Sequence, residues 1–312
     1  MVTTTAFLAR VKSAALVPTH QITYQDQDIL ELANEEMDNL LCPLIMSLRE
    51  EYLVTKTIIP MVIGEYIIPI PERAVGRTIR AIKMTQTTSA YPTELTRASI
   101  SESFAFSTNL GLPRYHYFEG DVIKINPIPD QVYGDYVMWW ECRPSRLVPT
   151  VSVGIITSVT ATSVIVQQNL NTAITTGAII DITKVKAGYS NIYQDLTVGS
   201  ISTGIGPKVL VLSGFSVSNP ITGVSVGDHI SLAFTSDIIQ LPDEALVCLV
   251  QATALRMLQG LEQTQQYALT SAILERNLTS LKTALTPRNE GSSFKVRIHC
   301  PSFGAGRRSS IF

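Results

Sequence analysis

The stretch Gly154-Ile-Ile-Thr-Ser-Val-Thr-Ala-Thr-Ser-Val-Ile-Val166 decides how this chain is organised. Valine, isoleucine and threonine are enriched in strands, and the stretch lacks the spacing of three and four that an amphipathic helix needs. The same composition, rich in Val, Ile, Thr, Ser and Gly and poor in charge, extends over residues 150–235. The sequence therefore predicts an all-β insert of short strands, closed into a barrel or a sandwich.

A weak internal repeat supports this prediction. Two units share the order strand, strand, turn, strand. The first contains residues 156–158, 164–166, 174–177 and 180–182, and the second contains 201–203, 209–211, 221–223 and 227–230. Two such units would close a small β structure, although chance similarity within a Val/Thr-rich sequence is the alternative explanation.

Helix and sheet signals lie on both sides of the insert. Apolar residues that step by three and four predict helices at about 4–17 and 28–54, the second kinked or split in two at Pro43. One helix, or two separated at Gly260, is expected from Leu241 to Pro287. Between these helices, a period-two pattern predicts strands at 58–62 and 66–70 around a Gly64-Glu65 turn, at 77–84 and at 136–142. A hairpin is expected over residues 115–125.

The expected fold is therefore α+β. Helices from the two ends should form a bundle packed with an antiparallel sheet, making a body of residues 1–149 and 236–290. The insert, 150–235, should hang from this body by Pro149 and the segment near Ser236. Residues 291–312 are too short of apolar side chains to build a core of their own. We predict that they are disordered or form an arm that orders on a partner.

The composition limits the classes of function. Only 16% of the residues are charged, 45% are hydrophobic, and the net charge is −2. A subunit that hides much of its surface against neighbours is expected to have this composition. No basic stripe is present, so DNA near this protein would be passing rather than held. There is also no long apolar run to predict a membrane span, and the dispersed cysteines indicate a reducing compartment.

A search for catalytic or metal chemistry finds little. The four histidines do not share metal-ligand spacing, and nucleotide-binding and serine-hydrolase motifs are missing. The carboxylates Glu119, Asp121, Asp130 and Asp135 could in principle supply an acid–base pair, but they lie where turns are expected. We therefore predict that the chain is not an enzyme and needs no metal or other cofactor.

The aromatic residues Tyr117, Trp139 and Trp140 are assigned to the sheet core or to a subunit interface. Adjacent residues of a strand point to opposite faces, so one tryptophan is expected in the core and the other at an interface. A platform that stacks sugars or bases is the alternative.

Several motifs, taken in order, resemble the head-to-tail adaptor (neck connector) family of tailed phages. They are YIIPIPERAVGRTIR (66–80), GLPRYHY (111–117), VIKINPIP (122–129), WWECRPSRLV (139–148) and LPDEA (241–245), followed by the basic C-terminal segment. The resemblance covers most of the chain outside the insert, and the family offers no catalytic motif to carry over.

The resemblance implies a structural virion protein that forms a ring, expected to be dodecameric, between portal and tail. Genomic DNA would pass through its lumen without sequence-specific binding during packaging and ejection. The implied partners are further copies of the chain, the portal protein and a tail or stopper protein. The subunit would assemble in the bacterial host cytoplasm and end in the neck of the virion.

The C-terminal arm is the predicted portal-docking segment, because aromatic anchors with basic neighbours are typical of binding hot spots. The residues assigned to docking are Phe294, Lys295, Arg297, Phe303, Arg307, Arg308 and Phe312. The alternative is that the arm packs on its own or a neighbouring subunit. Two other functions also stay open: another virion component (stopper, tail or baseplate protein), or a glycan-binding protein that uses the insert.

Overall fold

The computed structural model describes residues 2–16, 24–49, 51–86, 92–99, 109–167, 171–185, 191–202 and 206–286. These residues form three hydrophobic cores, one among helices, one between two sheets and one inside a barrel. The fold is α+β, as the sequence predicted, and the insert is a closed six-stranded barrel rather than a sandwich. The arm predicted at 291–312 lies outside the described residues.

The helical core combines both ends of the chain. Its helices are α1 (Thr4–Ala14), α2 (Asp26–Glu36), α3 (Cys42–Leu48), α4 (Asp243–Gly260) and α5 (Thr264–Leu285). The central helix α4 contacts α1, α2 and α5, and it buries side chains on most of its circumference. α5 packs on α4 and α3 through one stripe only, formed by Thr270, Leu274, Leu281 and Leu285.

The helix expected over residues 28–54 is shorter and is interrupted. A π-helical turn, Met37–Leu41, separates α2 from α3, and the amide of Cys42 donates to the carbonyl of Met37. The widened turn accommodates Pro43, which has no amide to donate and would clash with the carbonyl four residues earlier. The helix ends at Leu48 because Arg49 is already extended. Residues 51–53 form a turn and β1 begins at Val54, so the predicted end at Val54 was wrong.

The second core lies between two four-stranded sheets. The first has the order β1 (Val54–Pro60), β8 (Gly134–Cys142), β3 (Ala74–Gln86), β4 (Thr93–Glu94). The second has the order β2 (Ile67–Pro69), β7 (Val122–Asn126), β6 (Tyr115–Glu119), β5 (Thr96–Arg97). The hairpin predicted over 115–125 is confirmed as β6–β7. The neighbouring pair β5–β6 is parallel, so the second sheet is not purely antiparallel.

The strands predicted around Gly64-Glu65 are present as β1 and β2, but they do not pair with each other. β1 pairs with β8 and β2 pairs with β7, so this turn carries the chain from one sheet to the other. Gly64 has a φ of +78°, a conformation that glycine adopts without strain. The local turn signal was real, but it does not specify which distant strand each arm of the turn will join.

The third core fills the barrel. In chain order its strands are β10 (Gly154–Val159), β11 (Ser163–Val166), β12 (Ile179–Thr183), β13 (Asn191–Ile201), β14 (Lys208–Leu212) and β15 (His229–Leu232). Around the barrel they follow the order β10-β11-β14-β13-β12-β15, and β15 closes on β10. All these strands lie within the predicted insert.

The barrel has an internal two-fold topology. Exchanging β10 with β13, β11 with β14 and β12 with β15 reproduces every strand pair. The hydrogen bonds repeat as well: Gly177 donates to the carbonyl of Val198, and Gly227 donates to that of Ile156, both at 2.8 Å. Both glycines have positive φ, +87° and +95°. The repeat seen in the sequence therefore corresponds to two structural halves.

The structure corrects how the two halves align. The β10–β11 pair has a bulge between Ile156 and Ser158, and β13–β14 has one between Val198 and Ser200. Ile156 is thus the structural equivalent of Val198, whereas the sequence repeat aligned Ile156 with Ile201. Loops of unequal length between the strands shift the register, and an alignment with a constant offset cannot follow that shift.

The two ends of the insert lie side by side. β9 (Arg146–Leu147) and β16 (Thr235–Ser236) form a parallel pair in which Leu147 faces Ser236. Asn34 on α2 fixes this point in the helical core, because its side chain accepts from the amide of Leu147 at 2.7 Å and donates to its carbonyl at 3.2 Å. The barrel therefore leaves the body and returns to it at one place.

Candidate functional site

The described part of the chain offers no metal-binding cluster. Within it, no group of three or more His, Cys, Asp or Glu side chains is arranged to hold a metal ion. Carboxylates from the predicted turns have local partners. Glu119 pairs with Lys124 at 2.6 Å, Asp121 pairs with Arg77, and Asp130 accepts from the hydroxyl of Tyr133 at 2.6 Å. These contacts are those of surface turns.

No helix among the described residues is long and apolar enough to cross a membrane.

The two tryptophans point to opposite faces of the first sheet. Trp140 is 3% exposed in the core between the sheets, and its indole Nε1 donates to the hydroxyl of Thr57 at 2.9 Å. Trp139 is half-buried on the outer face, where Lys83 Nζ lies 5.4 Å from the ring centroid. Two rings on opposite faces cannot make one stacking platform. Tyr117 is half-buried on the second sheet, opposite Lys124, and does not join either tryptophan in a single site.

An exposed apolar surface runs along the edge of the first sheet beside Trp139. Ile58 in β1 is 60% exposed, and Val62 and Ile63 in the following loop are 51% and 59% exposed. We call Ile58, Val62 and Ile63 the edge patch. Ile58 lies opposite Val137 in the β1–β8 register, and Val137 and Trp139 are two residues apart in β8. Ile58 and Trp139 therefore lie on the same face of the sheet. The period-two pattern predicted a strand here, but it did not predict which face of the sheet would remain exposed.

A second exposed apolar surface lies on α5. Tyr267, Leu269 and Ile273 are 38%, 67% and 47% exposed, and we call them the helix patch. Leu269 and Ile273 are four residues apart and lie next to the buried stripe of the same helix. From the sequence, both residues belong to the apolar stripe that would normally face the core. The structure places them outside it, because α5 is covered on one side only.

A buried ion cluster joins the barrel to the body. Arg73 precedes β3 and is 3% exposed, and its guanidinium lies 2.8 Å from Asp181 through two contacts and 2.8 Å from Asp195. Asp181 on β12 is fully buried, whereas Asp195 is half-exposed. The ring of Phe234 stacks 4.0 Å from the guanidinium carbon. We call Arg73, Asp181, Asp195 and Phe234 the joint.

Arg73 keeps its charge in the joint, whereas burial outweighs the effect of the guanidinium and raises the pKa of Asp181. Burial by itself would lower the pKa of Arg73, but the hydrogen bonds and charges of Asp195 and Asp181 outweigh it and raise that pKa. The guanidinium therefore stays charged and uses its fork to bind two carboxylates. Asp181 also accepts from the backbone amides of Asp195 and Phe234, each at 3.1 Å. Its lone pairs are thus directed at donors rather than at apolar side chains.

The barrel was expected to hang from the body by its two connections only, but it is fixed at further points. Besides the joint, His229 of β15 contacts Asp237 at 2.7 Å, and Asp237 also accepts from the amide of Thr4 through its carbonyl at 2.8 Å. In the repeat-related half of the barrel, Ser231 occupies the position of Asp181. Asp181 on β12 and Asp195 on β13 belong to different halves of the barrel, so both halves contact Arg73. The sequence did not predict the contact between Arg73 and Asp181, because the two residues are far apart in the chain.

The seven residues assigned to portal docking, from Phe294 to Phe312, lie outside the described residues. The described residues end at Thr286, directly after α5. Arg49, just before β1, donates its Nε to the carbonyl of Leu285 at 3.0 Å. The last turn of α5 is thereby held beside the segment that leads into β1.

Comparison with known proteins assigns no family, since no protein-family model matches the chain and no curated protein matches it. The surfaces with the strongest physical claim to a function are therefore the edge patch, the helix patch and the joint.

Proposed function

We propose that the chain is the subunit of a ring-forming adaptor in the neck of a tailed phage, placed between portal and tail. The observation that carries the proposal is the presence of two separate exposed apolar surfaces on one body. The edge patch belongs to the sheets and the helix patch belongs to α5, so they lie over different cores. Single exposed apolar residues are ordinary, but grouped ones mark interaction sites.

Two different surfaces on one subunit suit a head-to-tail contact. In such a contact the helix patch of one subunit meets the edge patch of the next, and the chain of contacts closes into a ring when the rotation permits. Half-buried Trp139, beside Ile58, would supply the aromatic anchor that such interfaces favour. The five helices would then form the helical bundle of the ring body, with the sheets packed beside it.

The charge composition supports a channel rather than a DNA-binding surface. Twenty-four basic residues against 26 acidic ones give no excess with which to grip the phosphate backbone. Genomic DNA would pass through the lumen of the ring, which by resemblance to the adaptor family is dodecameric. In this proposal the chain acts as a structural connector, without catalysis and without a cofactor.

The arm provides a direct test of portal docking. A chain that ends at Pro287 should keep its fold, because it retains every residue of the three cores. It should lose binding to portal, since Phe294, Phe303, Arg307 and Arg308 are removed together. Co-sedimentation with purified portal rings measures this, with the full chain as the control. Unchanged affinity of the truncated chain would contradict the docking role of the arm.

The barrel is expected to be dispensable for ring formation. Its ends lie side by side at Leu147 and Ser236, so a short Gly/Ser linker can replace residues 150–235 without distorting the body. Arg73 would then be released to solvent rather than left buried without a partner. Native mass spectrometry should still find rings of the shortened chain. Loss of soluble protein would instead show that the barrel stabilises the body through the joint.

A further inference from the structure

The outer edge of β1 is open in the described part of the chain. β1 pairs only with β8, and the amide of Cys142 donates to the carbonyl of Leu53 at 2.8 Å. In an antiparallel pair the hydrogen-bonded positions alternate, so Thr55, Thr57 and Ile59 bond to β8. The amides and carbonyls of Lys56 and Ile58 therefore point away from the sheet. No described residue bonds to them.

This open edge is long and partly apolar. It extends over the seven residues of β1, and Ile58 at its outer face is 60% exposed. Lys56 supplies an exposed charge, and Pro60 leaves one outward position without an amide, two features that discourage accidental pairing. The edge can still accept a strand that bonds to Lys56 and Ile58, whereas the amide of Val54 already donates to the carbonyl of Glu51 at 3.3 Å.

The C-terminal arm contains a sequence suited to that role. Phe294-Lys-Val-Arg-Ile-His299 alternates apolar and basic side chains over six residues, and includes the β-branched Val296 and Ile298. A strand with this pattern presents one apolar face and one charged face. Elsewhere among the residues that follow α5, glycine, serine and proline recur more often, so this is the segment with the strongest strand signal.

The geometry brings this segment within reach of the edge of its own subunit. The last described residues, Leu285 and Thr286, lie beside Arg49, whose Nε donates to the carbonyl of Leu285 at 3.0 Å. From Arg49 to Val54 the chain can span at most about 17 Å, and from Thr286 to Phe294 at most about 28 Å. Pairing parallel to β1, with Phe294 near Val54, needs the least chain. A tethered segment also has a much higher effective concentration than one from another molecule.

We propose that residues 294–299 add as a strand to the open edge of β1 in the same subunit before assembly. Main-chain hydrogen bonds to Lys56 and Ile58 supply the affinity, and Phe294, Val296 and Ile298 cover Ile58. The free subunit is thereby protected against edge-to-edge association. One consequence rests on the proposed function: a portal that captures the arm also uncovers the edge patch for the neighbouring subunit.

Hydrogen–deuterium exchange on the full chain, without portal, tests the proposal. Peptides covering 54–60 should exchange about tenfold more slowly in the full chain than in a chain ending at Pro287. Peptides covering 294–299 should also be protected. Arm amides that exchange at the rate of an unstructured peptide, with β1 unaffected by truncation, would overturn the proposal. Neither outcome depends on whether rings form, so the result is separate from the test of the ring.

Two variants and a control sharpen this test. Ile58→Pro removes an amide that points outward, so it should release the arm and leave the β1–β8 pairing intact. Val296→Pro removes an amide of the arm strand instead of one of β1, so it should also release the arm. If Ile58→Pro disturbs the β1–β8 pairing, the result for Val296→Pro is the one that tests the proposal. Ser292→Pro lies in the arm outside the paired segment and should change neither peptide.

Protein concentration tells whether the arm pairs within one subunit. Protection of 54–60 should be the same at low and high concentration, because the segment is tethered. Protection that appears only at high concentration, together with dimers in native mass spectrometry, would overturn pairing within one subunit.

Discussion

Aspartate at both Leu269 and Ile273 is expected to abolish ring formation and to leave a folded subunit. The two side chains are 67% and 47% exposed in the single chain, so the substitution removes little from the helical core. In a ring the same positions would be covered, and a carboxylate buried without a partner opposes association strongly. If each residue is a hot spot, each loss weakens the contact by about 2 kcal/mol or more.

The matched control uses the same helix, the same spacing and the same added charge. Thr279 and Thr283 are exposed on α5, four residues apart, and aspartate at both should leave rings intact. Native mass spectrometry gives the assembly state, and far-ultraviolet circular dichroism checks that both variants are folded. Rings of the Leu269→Asp/Ile273→Asp variant at the wild-type mass would show that the helix patch is not a subunit contact.

Replacing Arg73 by methionine is expected to destabilise the protein by about 3–5 kcal/mol, the usual cost of breaking a buried ion pair from one side. Methionine retains the volume of the side chain but leaves the fully buried Asp181 without its counter-charge. The half-exposed Asp195 can turn to water, so the loss arises mainly at Asp181. Urea unfolding followed by tryptophan fluorescence and by circular dichroism measures the change in free energy.

Two comparisons identify the cause of that loss. Arg256→Met breaks an ion pair with Glu36 at the surface and should cost no more than about 1 kcal/mol. Adding Asp181→Asn to Arg73→Met removes the uncompensated charge and should restore part of the lost stability. If Arg73→Met stays within about 1 kcal/mol of the wild type, the joint does not hold the barrel to the body as described.

The sequence predicted the elements of this fold better than their partners. Composition alone marked the β insert, because Val, Ile and Thr without helical spacing favour strands, but it left both a barrel and a sandwich open. The turn at Gly64 was predicted but the partners of its strands were not, since a turn signal is local whereas β1 and β2 are each paired by strands far along the chain. Likewise Ile156 matches Val198 only once the bulges and the glycines of the two halves are seen together.

The candidate surfaces were less accessible to sequence analysis than the fold. Alternation predicted that Trp139 and Trp140 would face opposite ways, but it did not say which of them would be buried. Arg73 stands in a motif that was noticed only for its resemblance, and its carboxylates lie on a domain that folds around a different core. Ion pairs between residues far apart in the chain produce no periodic pattern in the sequence. The exposure of Leu269 depends on how many helices cover α5, a property of the whole assembly of helices rather than of that segment.

Mixing the purified full chain with portal rings and weighing the products by native mass spectrometry tests the adaptor proposal most directly. We expect a closed ring of one defined mass, either alone or attached to the portal, and images of the same sample should show it coaxial with the portal. A chain that stays monomeric at all concentrations and never joins the portal would contradict the proposal.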